Sequence, residues 1–176
     1  MSTYQIDPAH SSAQFKVRHM MISNVKGEFD KVSGTVQFDP ANPPSASVEA
    51  SIDVATISTR DEQRDAHLKS ADFLDVEKFP AIAFKSKKVT ATGSDSFSVA
   101  GDLTIHGVTK EVKLDVEEVT DEAKDPWGNL RRGATAKTRI NRKDFGMTFN
   151  VALEAGGFLV SEDVDLTIDV ELIRQA

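Results

Sequence analysis

The segment Val164-Asp165-Leu166-Thr167-Ile168-Asp169-Val170-Glu171-Leu172 places an apolar residue on every even position and a polar one on every odd position. A period of two belongs to a β-strand with one buried face, because successive Cβ atoms point to opposite sides of a sheet. A slip of one residue would carry Asp165 and Asp169 into the interior, so the pairing register is tightly specified. The pattern recurs along the chain. Phe15, Val17 and His19 alternate with Lys16 and Arg18, and Val32, Gly34, Val36 and Phe38 with Ser33, Thr35 and Gln37. Further sets are Val48, Ala50, Ile52 and Val54; Ile82, Phe84 and Ser86, with Val89 just after; and Phe97, Val99, Gly101, Leu103 and Ile105. Val112, Leu114 and Val116 form another, and Ala134, Ala136, Thr138 and Ile140 the next. About eight strands at regular spacing, separated by turns such as Thr92–Asp95 and His106-Gly107, read as an all-β antiparallel barrel or sandwich.

One stretch, Thr59 to Ser70, has no alternation and few β-branched residues. Thr59 followed by Glu62 has the spacing of a capping box, which predicts a short helix over residues 60–70. A helix beside an open barrel end suits a lid. Asp125-Pro126-Trp127-Gly128-Asn129 reads as a turn between strands. With 176 residues and no linker or internal repeat, residues 1–176 are expected to form a single domain.

Composition narrows the function classes. A net charge of −7 argues against a general nucleic-acid binder, whose affinity rests on Lys and Arg against phosphate. The absence of cysteine excludes disulfides and thiolate chemistry. Met1–Pro8 carries no basic start, apolar stretch or cleavage-like site, and no run approaches the length of a transmembrane segment. The chain therefore reads as cytoplasmic, although a mature form cut from a longer precursor would look the same. Phe outnumbers the other aromatics, 10 against one Tyr and one Trp, which suits an apolar interior better than a polar recognition surface.

No metal site is expected, because His10, His19, His67 and His106 show neither the i, i+2 nor the i, i+4 spacing. Each is expected to satisfy local backbone polar groups. Ser11 and Ser12 lie near His10 without a nucleophile elbow around them. Arg64, Asp65 and His67 share the expected helix; they suit an acid–base set or, preferably, a charged tether holding the helix to the barrel rim. A barrel of about eight strands either fills with side chains or holds one small ligand. Gly34, Ala50, Gly101, Ala134 and Ala136, small residues on the inward face, favour the second.

The chain resembles the YceI-like family of lipocalin-like barrels, and does so nearly end to end. The matching motifs are Ile6-Asp7-Pro8-Ala9-His10-Ser11, Phe15-x-Val17-x-His19-Met20, Gly27-x-Phe29, Arg64-Asp65-x-His67-Leu68 and Asp72-Phe73-Leu74-Asp75. They continue through Phe79-Pro80, Phe84-x-Ser86, Gly101 to Thr109, and Arg142-x-Asp144-Phe145-Gly146. The resemblance implies an eight-stranded antiparallel lipocalin-like barrel with an elongated cavity. It also implies a bound polyisoprenoid, isoprenoid quinone or similar long-chain lipid, often a homodimer, and no enzymatic activity or other cofactor. Many members are exported; the start of this chain looks like the cytoplasmic branch.

On that reading Phe15, Val17, Val36, Ile52, Phe84, Val99, Leu103, Ile140 and Ile168 line the tunnel. Met20, Met21, Ile22, Leu68, Phe73, Phe145, Met147, Phe149 and Phe158 line or gate its mouth, and His19, Arg64 and His67 meet a polar head group. The competing readings are a small lipid-acting hydrolase or isomerase with His67 or His10 as base, and a ligand-free stress or interaction module.

Overall fold

The computed structural model describes residues 1–154 and 156–176. Among the described residues, eleven strands and one α-helix follow one another. They are β1 (Ser2–Ile6), β2 (Ser12–His19), β3 (Ser23–Phe29), β4 (Val32–Phe38), β5 (Ser47–Asp53), α1 (Glu62–Lys69), β6 (Ala81–Ala91), β7 (Phe97–Ile105), β8 (Val108–Glu117), β9 (Ala123–Lys124), β10 (Leu130–Asn141) and β11 (Val160–Arg174). Every pairing is antiparallel, and the ring β11-β1-β4-β5-β6-β7-β8-β10 closes because β10 also pairs with β11. This is an eight-stranded closed antiparallel barrel with one helix.

One stave of the wall is broken along β11. The long strand β11 pairs with β1 through Leu172–Arg174 and with β2 through Val160–Asp169. The break between β1 and β2 is a 3-10 turn, Pro8–His10, capped by the Asp7 side chain. Beyond it the β2–β3 hairpin extends the wall, and β3 is bridged to the chain before α1 at Glu28 and Ser58. β1 and β3 escape a periodicity reading because each is short in apolar positions: β1 has Tyr4 and Ile6, and β3 has a glycine between Val25 and Phe29.

The β11 alternation is realised as read. Leu166, Ile168, Val170 and Leu172 face the interior, while Asp165 and Asp169 face out, bonded to Arg139 (2.7 Å) and Thr135 (2.8 Å). In β6, Phe84 and Val89 both point inward despite opposite parity. A bulge between Ser86 and Lys88 inserts the extra residue and restores the inward face. His106 and Gly107 both adopt positive φ (55° and 72°), the backbone of a type I′ hairpin between β7 and β8.

The helix starts two residues later and ends one residue earlier than expected, and its cap is different. Asp61, not Thr59, is the N-cap: its Oδ1 accepts from the Arg64 amide (3.1 Å). Thr59 is buried and donates its amide and hydroxyl to Asp65 Oδ1 (2.8 and 2.6 Å). Arg64 donates Nε to the Thr59 hydroxyl and Nη2 to the Thr59 carbonyl, both at 2.8 Å. Thus Arg64 and Asp65 tether a helix that, at eight residues, is too short to be stable alone.

Gly34 and Gly101 do not make room inside the barrel. At Gly34 (φ 149°) a Cβ would overlap the Glu49 carbonyl of the neighbouring strand, and at Gly101 it would overlap the Phe84 ring. Both serve close approach, and neither lines the cavity. Ala50, Ala134 and Ala136 do line it.

Candidate functional site: an apolar cavity in two chambers

The inward faces of the strands enclose space that side chains do not fill. Val36, Val48, Ala50, Ile52, Leu166, Ile168 and Val170 all point inward, yet they are only half-buried. A close-packed core would bury them fully. An inner chamber of about 220 Å³ lies among β4 to β8, β10 and β11. An outer chamber of about 470 Å³ opens beneath α1 and the β2–β3 hairpin. Phe29, Ile82, Ile105 and Leu166 line both and form the waist between them. The two volumes together lie within the roughly 300–1,000 Å³ typical of small-molecule pockets.

Val36, Ile52, Phe84, Val99, Leu103 and Ile168 line the inner chamber. Phe15, Val17, His19, Arg64, His67, Leu68, Phe73, Ile140, Met147 and Phe149 line the outer one. Five expected residues lie elsewhere. Phe145 is 1% exposed, packed in the core, and lines neither chamber. Met20, Met21 and Ile22 form the β2–β3 tip and Phe158 the facing loop; all four point outward, with Met21 62% and Ile22 73% exposed. Alternation cannot place a hairpin tip: the positive φ of Met20 (52°) and Met21 (62°) takes both out of the strand pattern.

Arginine at each end of the β10 inward face was not anticipated. That face reads Arg132, Ala134, Ala136, Thr138, Ile140, followed by Arg142 in the 3-10 turn Arg142–Phe145. Extending the period of two by one step in either direction finds both. Arg132 lies at the end away from α1, over the rings of Tyr4 and Phe38, with Nε donating to Tyr4 Oη (3.0 Å) and Nη1 to the Thr120 carbonyl (2.8 Å). Arg142 is 3% exposed and donates to three backbone carbonyls, Ser161 (2.9 Å), Met147 (2.7 Å) and Val160 (3.3 Å).

The histidines divide. His106 Nδ1 lies 3.0 Å from the Phe145 carbonyl, the local backbone role expected of all four. His10 and His67 pair with carboxylates instead, Nδ1 with Asp7 and Nε2 with Asp72, each at 2.8 Å. The His67 ring is also held edge-on by Phe73 and Phe149 (centroids 5.1 and 4.9 Å), an aromatic group at the mouth.

Away from the cavity, Arg131 gathers three carboxylates: Asp125 through Nε (2.7 Å), Asp7 and Glu171 through Nη1 (2.8 and 2.9 Å). Asp7, His10 and Glu171 lie close enough to share a cation, and the Arg131 guanidinium supplies that charge. Its hydrogen bonds hold the Asp7 carboxyl below its ordinary 3.8, with His10 adding to the effect, and hold Asp125 far below the usual carboxylate range. Carboxylates depressed in the folded state stabilise it above their unfolded pKa, and that contribution is lost as the pH falls through the folded values. The Tm gap between wild type and Arg131→Gln is therefore widest at about pH 7 and narrows towards about pH 2. Thermal melts followed by circular dichroism check this; a gap independent of pH refutes it.

A closed barrel with an unfilled, apolar interior opening beneath a short helix has the architecture of barrels with room for one small ligand. The chain belongs to the YceI-like family: the model described as YceI-like domain matches residues 4–172. A UPF0312 protein of Vibrio cholerae is 37% identical over 98% of this chain and 87% of its own. The Campylobacter jejuni YCEI protein is 33% identical, with a TM-score of 0.76 over 90% of each chain. A polyisoprenoid binding domain from Saccharophagus degradans, 15% identical, shares the fold with a TM-score of 0.73 over 99% of this chain and 100% of its own. Among the described residues no helix is long and apolar enough to cross a membrane.

Proposed function

We propose that this barrel binds and carries a long-chain apolar amphiphile, a polyisoprenoid, isoprenoid quinone or similar lipid, without transforming it. The observation that carries the reading is the inner chamber: apolar side chains from opposite walls face unfilled space. The likeness to a domain described as polyisoprenoid binding supports it at the level of fold. Burying one CH₂ contributes about 0.8 kcal/mol. Roughly fifteen methylenes supply on the order of 12 kcal/mol, and after several kcal/mol of association cost this leaves micromolar affinity. The tail runs through the waist into the inner chamber, and the polar head stays among His19, Arg64 and His67 at the mouth. The test is native mass spectrometry with organic extraction of freshly purified protein, which is expected to release a long-chain lipid. Protein that yields no lipid and fails to take up an added C16 or longer chain overturns the reading.

A further inference from the structure

Among the described residues, Arg142 is the one buried side chain that carries a charge. Its guanidinium meets three carbonyl dipoles, and among the described residues no carboxylate lies within ion-pair distance of it. Its neighbour Glu162 is engaged by Lys143 at 2.8 Å instead. Three of its five N–H groups are used, so two remain. Burying a charge without a counter-charge is costly, and a tether to carbonyls could be made by a neutral donor at lower cost. Burial indeed pushes the guanidinium below its usual pKa, although arginine stays charged. One face of the group lies over the Phe73 ring (6.0 Å) and the side chain lines the outer chamber.

The chamber around it is biased the same way. Arg18, His19, Arg64 and His67 also line it, and Asp61 is the acid among the lining residues. Asp61 is half-exposed and occupied as the α1 cap, 4.0 Å from Arg64. Asp72 lies beside the chamber and is taken by His67.

We propose that the outer chamber is an oxyanion site, which takes the carboxylate or phosphate head group of the amphiphile whose tail fills the inner chamber, with the unpaired guanidinium of Arg142 selecting for negative charge. This rests on the lipid-binding reading and narrows its ligand class. The protein's net charge of −7 does not oppose it, because exposed charges are screened beyond roughly 8 Å while a buried cation acts through low dielectric at contact distance.

The experiment holds the tail constant and varies the head. Hexadecanol, palmitate and hexadecyl phosphate compete with diphenylhexatriene for the wild-type barrel at a pH where both acids are ionised. The expected result is at least tenfold tighter binding of one or both anions than of the alcohol. Arg142→Gln, which keeps donors and removes charge, is expected to bring all three within about threefold of one another. Equal or tighter binding of hexadecanol to wild type overturns the proposal even if the variant fails to fold, and leaves the lipid-binding reading intact. An anion preference that survives in folded Arg142→Gln overturns the role given to Arg142. Failure of all three to bind overturns the lipid-binding reading and this proposal with it.

Discussion

Ala136→Phe is expected to abolish tight binding of long chains while leaving the barrel as stable as before. Ala136 sits in the middle of β10, paired with Val116 of β8 and Ile168 of β11, and its methyl faces the inner chamber. A benzyl group there projects into space that no side chain now occupies. In a close-packed core the added carbons would cost about 1–3 kcal/mol through forced rotamers and backbone shifts. In an unfilled chamber they gain apolar burial, so the midpoint of urea denaturation should move by less than the equivalent of about 1 kcal/mol. The tail is what the ring displaces. Losing the burial of roughly four methylenes forfeits about 3 kcal/mol, or two orders of magnitude in Kd. Displacement titration of a fluorescent C16 or longer chain, paired with urea melts, reads both quantities. A variant that is strongly destabilised, or that binds as wild type does, would show that the interior is not where the chain goes.

Phe145→Ala is expected to do the reverse. Phe145 is buried in the core at 1% exposure without lining either chamber, and its carbonyl faces His106 Nδ1 at 3.0 Å. It ends the 3-10 turn Arg142–Phe145, which Gly146 closes in the left-handed conformation (φ 77°). Truncating a fully buried Phe removes its transfer free energy and leaves a void, a loss of about 3–5 kcal/mol. For a chain of this size that lowers Tm by roughly 6–20 °C. Because the ring does not face either chamber, the folded fraction should retain its affinity for a long chain within a few-fold. Calorimetry gives the first number and the same displacement titration the second. A loss of binding without loss of stability would place Phe145 in the lining of the mouth, where the sequence reading puts it.

The contrast between these two positions shows how much of the site the chain reveals before it folds. Inward residues on uninterrupted strands are legible. Val36, Ile52, Phe84, Val99, Leu103 and Ile168 all reach the inner chamber, because parity along a strand decides which side a Cβ takes. Parity fails at the breaks. Val89 falls out of phase with Phe84 until the β6 bulge is seen, and Met20 to Ile22 continue the β2 pattern on paper while the hairpin turns them to solvent. Small residues mislead for a related reason. A glycine and an alanine on the same face look alike in a sequence, but Gly34 and Gly101 are filled by the neighbouring strand or ring and Ala136 is not. Arg142 stood in a recognised motif without a role, since nothing local shows that a cation will be buried with no acid beside it.

The sequence by itself determined the alternation of the longer strands, the register of β11 and the existence of a helix between β5 and β6, because these depend on backbone geometry and on neighbours a few residues away. Only the tertiary structure decided that the interior is unfilled, that its outer half gathers Arg18, His19, Arg64, His67 and Arg142, and that its inner half has Arg132 alone among charged lining residues. The volume left inside a barrel depends on residues from opposite walls that lie far apart in the sequence, and so does the presence or absence of a counter-charge. Both quantities exist only once β10 has closed on β11.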